Sequence, residues 1–470
     1  MDDTSTAPKA KATAASSVEQ SLYEKREKIY PREVHGTFAA LRVTAVSVLL
    51  GLFYGVCWLR WDGHQAVLFD LPARKFYVFG LTFWPQDFLL LTLLMMLAAL
   101  SLFFFTALAG RLWCGYACPQ TVWTEVFLWM ERKIEGNRLQ QMKLDKAPWS
   151  ARKLRIKATK QFAWIAFSLW TGFTFVAYFT PATDLLAKTA ALSLGPWETF
   201  WMLFYGFATY GNAGFMREQV CKYMCPYARF QSAMFDKDTL IVSYDEARGE
   251  PRGSRRPSAD PKELGLGDCI NCTMCVQVCP TGIDIRDGLQ YECIGCSACI
   301  DACDDVMERM NYPKGLLRYT TEHALEGKPT RIVRARTIIY SVLLLGVAGL
   351  FFYLLGSRAP LGLDIMRDRN QLYRERGGLI ENVYMLKVLN LRDAERAFEI
   401  TAAGIDGMLV DGPGEPVRVA GGDVAEVPVV LRASESELPE RSTPVTFTLR
   451  AADDASVSVT EGAKFLGPGR

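Results

Sequence analysis

Most of the chemistry this chain can do lies in its thirteen cysteines. Eight fall within the 35 residues from Cys269 to Cys303, in the runs CINCTMCVQVCPTG and CIGCSACIDACDD. Each run is spaced C-x2-C-x2-C-x3-C, which suits a pair of [4Fe-4S] clusters. Three closely spaced thiolates can wrap three corners of a cubane, but the fourth corner lies too far round for the same loop. The last cysteine of each run therefore serves the other cluster. On that rule Cys269, Cys272, Cys275 and Cys303 hold one cluster, and Cys293, Cys296, Cys299 and Cys279 hold the second. Structural zinc also uses C-x2-C pairs, but it needs only four thiolates per site, so the second x2 step would be superfluous. Pro280 follows the last cysteine of the first run, whereas Asp304 takes that place in the second.

Four more cysteines form a second repeat. LWCGYACPQTVW carries Cys114 and Cys118, and QVCKYMCPYARF carries Cys221 and Cys225. Both read C-x3-C-P with a tyrosine in mid-spacer. If the segment stays helical, cysteines at i and i+4 share a face and can close on one soft ion, and thiolate pairs favour Cu(I). The four are thus candidate copper-holding redox dithiols, one tetrahedral S4 site, or ligands of a cluster. The alternative is membrane-edge cysteines packed as small apolar residues, which the repetition with Pro119 and Pro226 disfavours. Cys57 stands alone and reads as packing. His35, His64 and His323 are too few and too scattered for a bis-histidine haem. Met95 and Met96 sit in a run of leucines and also read as packing.

A membrane scaffold must position these thiols. Half of the 470 residues are apolar, and the net charge of +2 does not suggest a nucleic-acid partner. The apolar residues gather in runs of about 20, enough to cross a bilayer as helices. The pattern predicts an α-helical membrane protein with five transmembrane helices, at 38–59, 87–109, 161–179, 197–216 and 337–356. The first run is too long for a cleaved signal and reads as an anchor. Residues 1–37 read as a disordered tail. Lys and Arg number six before the first helix and ten in the loop 110–157, against three in 60–85 and one in 182–195. That asymmetry predicts a cytoplasmic amino terminus and a cytoplasmic segment at 217–336. Within it an α+β two-[4Fe-4S] ferredoxin-like domain is expected at about 258–312. Cluster-type cysteines suit that reducing compartment. Residues 357–470 are expected in the periplasm, where YMLKVLNL, FEITAAGI, EVPVVLRAS, TPVTFTLRA and SVSVTEG, parted by turn residues, predict an all-β immunoglobulin-like sandwich.

Together the ferredoxin runs, the paired C-x3-C-P motifs, the spans and the outer sandwich resemble the CcoG/FixG/RdxA family of cytochrome c oxidase accessory proteins, which are polyferredoxin-like. CIDACDDVM, PKGLLRY and RDRNQLYRERGGLIENVYMLKVLN support the resemblance, which covers the chain from about residue 30 to its end. It implies a role in assembling the cbb3-type oxidase in the bacterial inner membrane, by reducing Cu(II) to Cu(I) for its copper centre. Expected partners are a cytoplasmic electron donor, and oxidase subunits or a copper exporter or chaperone. The residues alone show an electron-transfer membrane protein. A quinol-linked electron-transfer protein of the nitrate-reductase accessory type and a non-catalytic assembly scaffold are the alternatives.

Overall fold

The computed structural model describes residues 28–468 apart from 62, 258, 261–262, 359–360, 369–370, 393–394 and 439. Most of the expected tail, residues 1–27, lies outside the described residues. The chain forms two compact units, residues 1–60 with 98–344, and residues 61–97 with 345–470.

In the first unit the leading helix is α1 (Thr37–Gly55). Helix α2 (Phe88–Ala109) enters it from the second unit and is followed by the single turn α3 (Leu112–Tyr116). Next come α4 (Pro119–Glu135), α5 (Arg138–Lys146), α6 (Ala151–Val176), α7 (Ala182–Ala190), α8 (Pro196–Thr209) and α9 (Pro226–Met234). The cysteine-rich region adds the short α10 (Met274–Gln277) and α11 (Ala298–Arg309), and α12 (Ala335–Gly356) leaves for the second unit.

Among the described residues three helices, not five, are long and apolar enough to cross a membrane: Thr37–Trp58, Phe88–Ala109 and Ala335–Gly356. Their apolar side chains, such as Leu91, Phe105, Val342 and Phe352, are exposed, and a surface of that kind needs lipid to cover it. The chain is a membrane protein. The expected spans at 161–179 and 197–216 depart from that pattern for different reasons. Helix α6 carries Arg152, Lys153, Arg155, Lys157 and Lys160 in its first ten residues. Helix α8 ends after 14 residues and passes into wider, π-type turns from Tyr210 to Met216. The two pack closely, because a Cβ on Gly172 would strike the Met202 carbonyl and one on Gly206 would press the Ser168 carbonyl at 3.3 Å.

A carboxylate from the cluster region caps the first span. The amide of Phe38 donates to Asp301 Oδ1 at 3.2 Å and that of Ala39 to Oδ2 at 2.7 Å. Asp301 lies on α11, between Cys299 and Cys303, so the first span is tied to the cysteine helix at two otherwise orphaned donors. A Cβ on Gly36 would collide with the same carboxylate, which explains the glycine.

In the second unit, residues 61–97 hold a three-stranded antiparallel sheet, Val67–Asp70, Lys75–Val78 and Leu81–Phe83, where a plain loop was expected. The remainder is a two-sheet sandwich. One sheet runs Leu409–Asp411, Val424–Ser434, Leu379–Asn390, Leu361–Arg367, with Arg374–Arg376 also pairing onto Leu379–Asn390. The other runs Val417–Val419, Arg396–Ala403, Ser442–Ala451, Ser458–Leu466. Alternate residues turn inward, as in Val427, Val429, Leu431 and Ala433 facing Val445, Phe447, Leu449 and Ala451. All five expected strand stretches are strands, and the sandwich starts earlier than Tyr384, at Leu361.

Replacing the cap by Asp301→Ala should cost about 1–2 kcal/mol, the usual loss for a helix N-cap. Thermal unfolding of the detergent-solubilised protein, followed by helical circular dichroism, checks this. An unchanged midpoint would remove Asp301 from any role in docking the first span.

Candidate redox site

The eight ferredoxin cysteines converge in two groups, with each fourth cysteine crossing over. One cavity is lined by Cys269, Cys272, Cys275 and Cys303, with Tyr244, Met307, Leu316 and Leu317 as apolar wall. The other is lined by Cys279, Cys293, Cys296 and Cys299, with Val242, Ile283, Ile285 and Ile294. Cys275 borders both.

The loops repeat in conformation as well as in sequence. After Cys269, Asn271 and Thr273 have φ of 54° and 55°; after Cys293, Gly295 and Ser297 have φ of 68° and 61°. Left-handed residues alternating along a loop turn successive N–H groups inward, and such a concavity suits an anionic cluster. Non-glycine residues held there store local strain, which is common at ligand-holding sites. Each apolar pocket with four thiols and inward amides fits a [4Fe-4S] group, which when bound takes up and releases one electron at a time.

The Asp304 departure has a structural reason. Cys279 lies past the end of α10, where Pro280 can follow. Cys303 lies inside α11, which continues to Arg309 and would lose a backbone bond to a proline. Asp304 instead accepts the Gly315 amide at 2.8 Å and holds the following loop.

Both C-x3-C-P motifs are built to one plan. A left-handed residue, Gly110 (φ 55°) or Arg217 (φ 45°), breaks the preceding helix. A short coil of helix then presents the first thiol, Cys114 in α3 or Cys221 in the π-type turn Val220–Met224. The second thiol, Cys118 or Cys225, is extended (φ −61°, ψ 130° and φ −80°, ψ 109°), and the next residue is the proline that opens α4 or α9. The expected helical i, i+4 face is therefore not formed. Proline disfavours the helical region for the residue before it, so the second cysteine is swung off the helix. Amides of Gln120 and Thr121 at the start of α4 point at the Cys118 sulfur.

The two motifs meet. Burial pushes the Cys114 thiol up to about 12, and the nearby Cys118, Cys221 and Cys225 add to the rise while Arg111 opposes it. Burial likewise raises Cys221 to about 11, with Cys118 and Cys225 again contributing. Without a bound cation these groups stay neutral thiols at neutral pH. Among the described residues no three His, Cys, Asp or Glu side chains come close enough to hold a single metal ion.

The thiol set abuts the second cluster loop. A Cβ on Gly115, between Cys114 and Tyr116, would lie 2.8 Å from the Gly295 carbonyl oxygen and 3.0 Å from Cys296 Cα. A Cβ on Gly295 would lie 3.2 Å from the Arg111 carbonyl oxygen. Two glycines thus let backbones touch where side chains would part them. The Arg111 guanidinium, itself buried, donates to the carbonyl of Cys293 at 3.3 Å and to that of Ala228. Arg42 of α1 donates to the Cys296 carbonyl, and Tyr319 Oη donates to the Gly295 carbonyl at 2.5 Å. Sequence reasoning missed Arg111, Gly115, Gly295 and Arg42. Of these only Gly115 and Gly295, each beside a motif cysteine, carried a local signal. Cys57 is buried against Phe173, Val176 and Leu185, as a packing residue should be.

Three matched families agree with this geometry. Residues 216–322 match a 4Fe-4S dicluster domain, 90–137 a 4Fe-4S binding domain, and 351–468 the IG-like fold at the C-terminal of FixG. Protein RdxA of Cereibacter sphaeroides is 40% identical over 450 residues, covering 92% of this chain and 93% of that protein. Nitrogen fixation protein FixG of Rhizobium meliloti is 39% identical over 510 residues, covering 98% and 95%. The chain belongs to the FixG/RdxA family. A crystal structure of a FixG-related protein from Vibrio parahaemolyticus aligns with 23% of this chain and 97% of its own, at 28% identity and a TM-score of 0.22. As a family member with these domains, the chain is an iron–sulfur electron-transfer protein.

The crossed ligation can be tested by combining variants. Cys303→Ser with Cys272→Ser should remove about four iron atoms per chain, because both thiols serve one cubane. Cys303→Ser with Cys296→Ser should remove about eight, because they serve two. The opposite ranking, measured as iron and acid-labile sulfide after anaerobic purification, would show that each run holds its own cluster.

Proposed function

We propose that this chain is a cupric reductase of the bacterial inner membrane, supplying Cu(I) for the copper centre of a cbb3-type oxidase. Copper is the substrate: one electron converts Cu(II) to Cu(I), and a cytoplasmic donor provides it. The observation that carries the reading is the contact of Gly115 with Gly295 and Cys296, which sets the four thiols directly against one cluster loop. At the other end Cys272 is exposed, while Cys269 and Cys275 are buried. Electrons would enter at the Cys272 end, pass Cys275, and leave from the Cys296 side toward Cys114, Cys118, Cys221 and Cys225. Thiol sulfur favours Cu(I) over Cu(II), so product formation is assisted there.

A cavity of about 520 Å³ gives a soluble substrate access to that end. Its wall includes Cys221, Cys296, Arg42, Gln120, Glu125 and Glu218. The cavity therefore borders the second cluster loop and the thiol set together.

Sidedness follows from the Lys/Arg asymmetry. Three spans or five give the same sides, because the segments at 161–179 and 197–216 form a pair and two crossings cancel. Either count leaves the thiols and the ferredoxin-like region in the cytoplasm and the sandwich in the periplasm, where it would meet oxidase subunits. Release of Cu(I) to an exporter or chaperone completes the scheme.

The test is stopped-flow oxidation of the dithionite-reduced protein by Cu(II), followed through the visible iron–sulfur absorbance. Gly115→Val should keep the parent's iron and oxidise more slowly, because the added side chain separates the two loops. Cys272→Ser with Cys296→Ser should yield no Cu(I) at all. Gly115→Val reacting as fast as the parent would sink the proposed route, and a cluster-free variant that still supports oxidase assembly would make the chain a scaffold.

A further inference from the structure

The cavity beside the second cluster loop has the dimensions and lining of a site for an organic molecule. Its volume is about 520 Å³. A Cu(II) ion with about six waters would take only about 180 Å³, at roughly 30 Å³ per water, whereas pockets for small organic ligands run from roughly 300 to 1,000 Å³. Much of the wall is carbon that a hydrated ion has no use for. It includes Val34 from the segment before α1, Val43 of α1, Leu128 of α4, and Val278 and Ile294 from the cluster region.

The charges in the wall are of both signs. Arg42, Arg132 and Arg217 line it together with Glu33, Glu125 and Glu218. Two of the cations are engaged within the protein, Arg42 with the Cys296 carbonyl and Arg217 with Glu131. Arg132 is held more loosely. Its Nε is enclosed without a hydrogen-bond partner among the described residues, and its Nη2 comes no nearer to Glu125 than 3.5 Å. A guanidinium with its fork unfilled is a seat for a carboxylate, and the glutamates around it suit an amine. The wall therefore matches a small zwitterion of the amino-acid or short-peptide kind.

Copper chemistry makes the connection. Among divalent first-row metals Cu(II) binds nitrogen and oxygen ligands most tightly, so amines and carboxylates in solution hold it before it reaches the protein. We propose that the cavity takes Cu(II) as a chelate of an amino acid or short peptide, seated with a chelator carboxylate on Arg132. The inference rests on the proposed cupric reduction and names the form in which its substrate arrives. One electron from the reduced second cluster converts the bound Cu(II) to Cu(I). The copper bonds to chelator nitrogen and oxygen then break, because Cu(I) prefers sulfur, and one forms to Cys221 in the same wall. The thiol proton goes to the freed amine, and the chelator leaves.

The test is stopped-flow oxidation of the dithionite-reduced, desalted full-length protein by two probes, Cu(II) bis-histidine and Cu(II) bis-ethylenediamine, which has no carboxylate. The rate should saturate with the first complex and rise linearly with the second. Arg132→Met should raise the half-saturating concentration of the bis-histidine complex about tenfold, the loss expected for one charge-assisted hydrogen bond, with iron content and the ethylenediamine rate unchanged. Ala40→Phe, which fills the cavity from α1, should raise it as well, and it serves if the first variant fails to fold. Equal behaviour of the two complexes, or a half-saturating concentration that neither variant moves, would overturn the proposal and leave cupric reduction standing. If neither complex oxidises the clusters the proposed function fails, and equilibrium dialysis of Cu(II) bis-histidine against the oxidised proteins decides the site: tighter retention by the parent than by Arg132→Met supports it, and equal retention sinks it.

Discussion

The geometry of the thiol set depends on one buried ion pair. Arg217 Nη2 lies 2.8 Å from Glu131 Oε2, and both side chains are almost fully enclosed. Arg217 is also the left-handed residue that ends the π-type turns after α8, with its amide on the Asn212 carbonyl and its Nε on the Gly214 carbonyl. Glu131 lies on α4, the helix that begins at Cys118 and Pro119. The pair thus clamps the start of the second motif to the helix that follows the first. Burial works against the charge on Glu131, but Arg217, Lys28 and Lys160 hold its carboxyl below the usual range. A buried ion pair adds little net stability over an apolar substitute, and its use here is to fix a position. Lys160 bridges Glu131 at 3.4 Å and Glu135 at 2.8 Å, and both it and Arg217 lie over the Trp164 ring, so the clamp reaches α6 as well.

Around that clamp, the same local rule is applied twice. A helix is stopped by a left-handed residue, one thiol sits on the next turn, and proline forces the second thiol out of helical geometry before opening a new helix. Turn and proline fix where each pair points; the clamp fixes how the pairs face each other. Long-range packing then decides what lies next to them, and here it is backbone, because Gly115 and Gly295 leave nothing else in the way.

How much of this was legible in the sequence divides along physical lines. Covalent spacing is local, so the grouping of Cys303 with Cys269, Cys272 and Cys275 could be argued from loop reach alone. Alternation is also local, and strands such as Ser442–Ala451 declare themselves by period two. The sheet at 67–83 had the same kind of signal in VLFD and KFYV, but short apolar runs beside a span are easily read as loop. The segments at 161–179 and 197–216 were harder, because exposed apolar side chains such as Phe162, Phe200 and Phe207 look like those of a span. What separates them is the basic first half of α6 and the departure from α-helix at Tyr210. The helical reading of the cysteine pairs failed on one residue type, since the trailing proline already ruled it out. Arg111, Arg217 and Glu131 carried no legible role, for a single charge becomes meaningful only when packing brings its partner from about 90 or 180 residues away.

The Asp301 contact joins these levels. Its carboxylate satisfies two amides at the head of the first span while its helix carries Cys299 and Cys303, one thiol for each cluster group. From the same span Arg42 reaches the carbonyl of Cys296. One end of a lipid-facing helix is thereby bonded to both the second cluster loop and the helix that follows it, and the cysteine region cannot drift from the membrane scaffold without exposing five hydrogen-bonding groups. Electron transfer between neighbouring centres requires a fixed, short separation. This chain secures it by drawing the cap of a membrane helix, Asp301, and a wall residue of each cluster pocket, Cys299 and Cys303, from one helix.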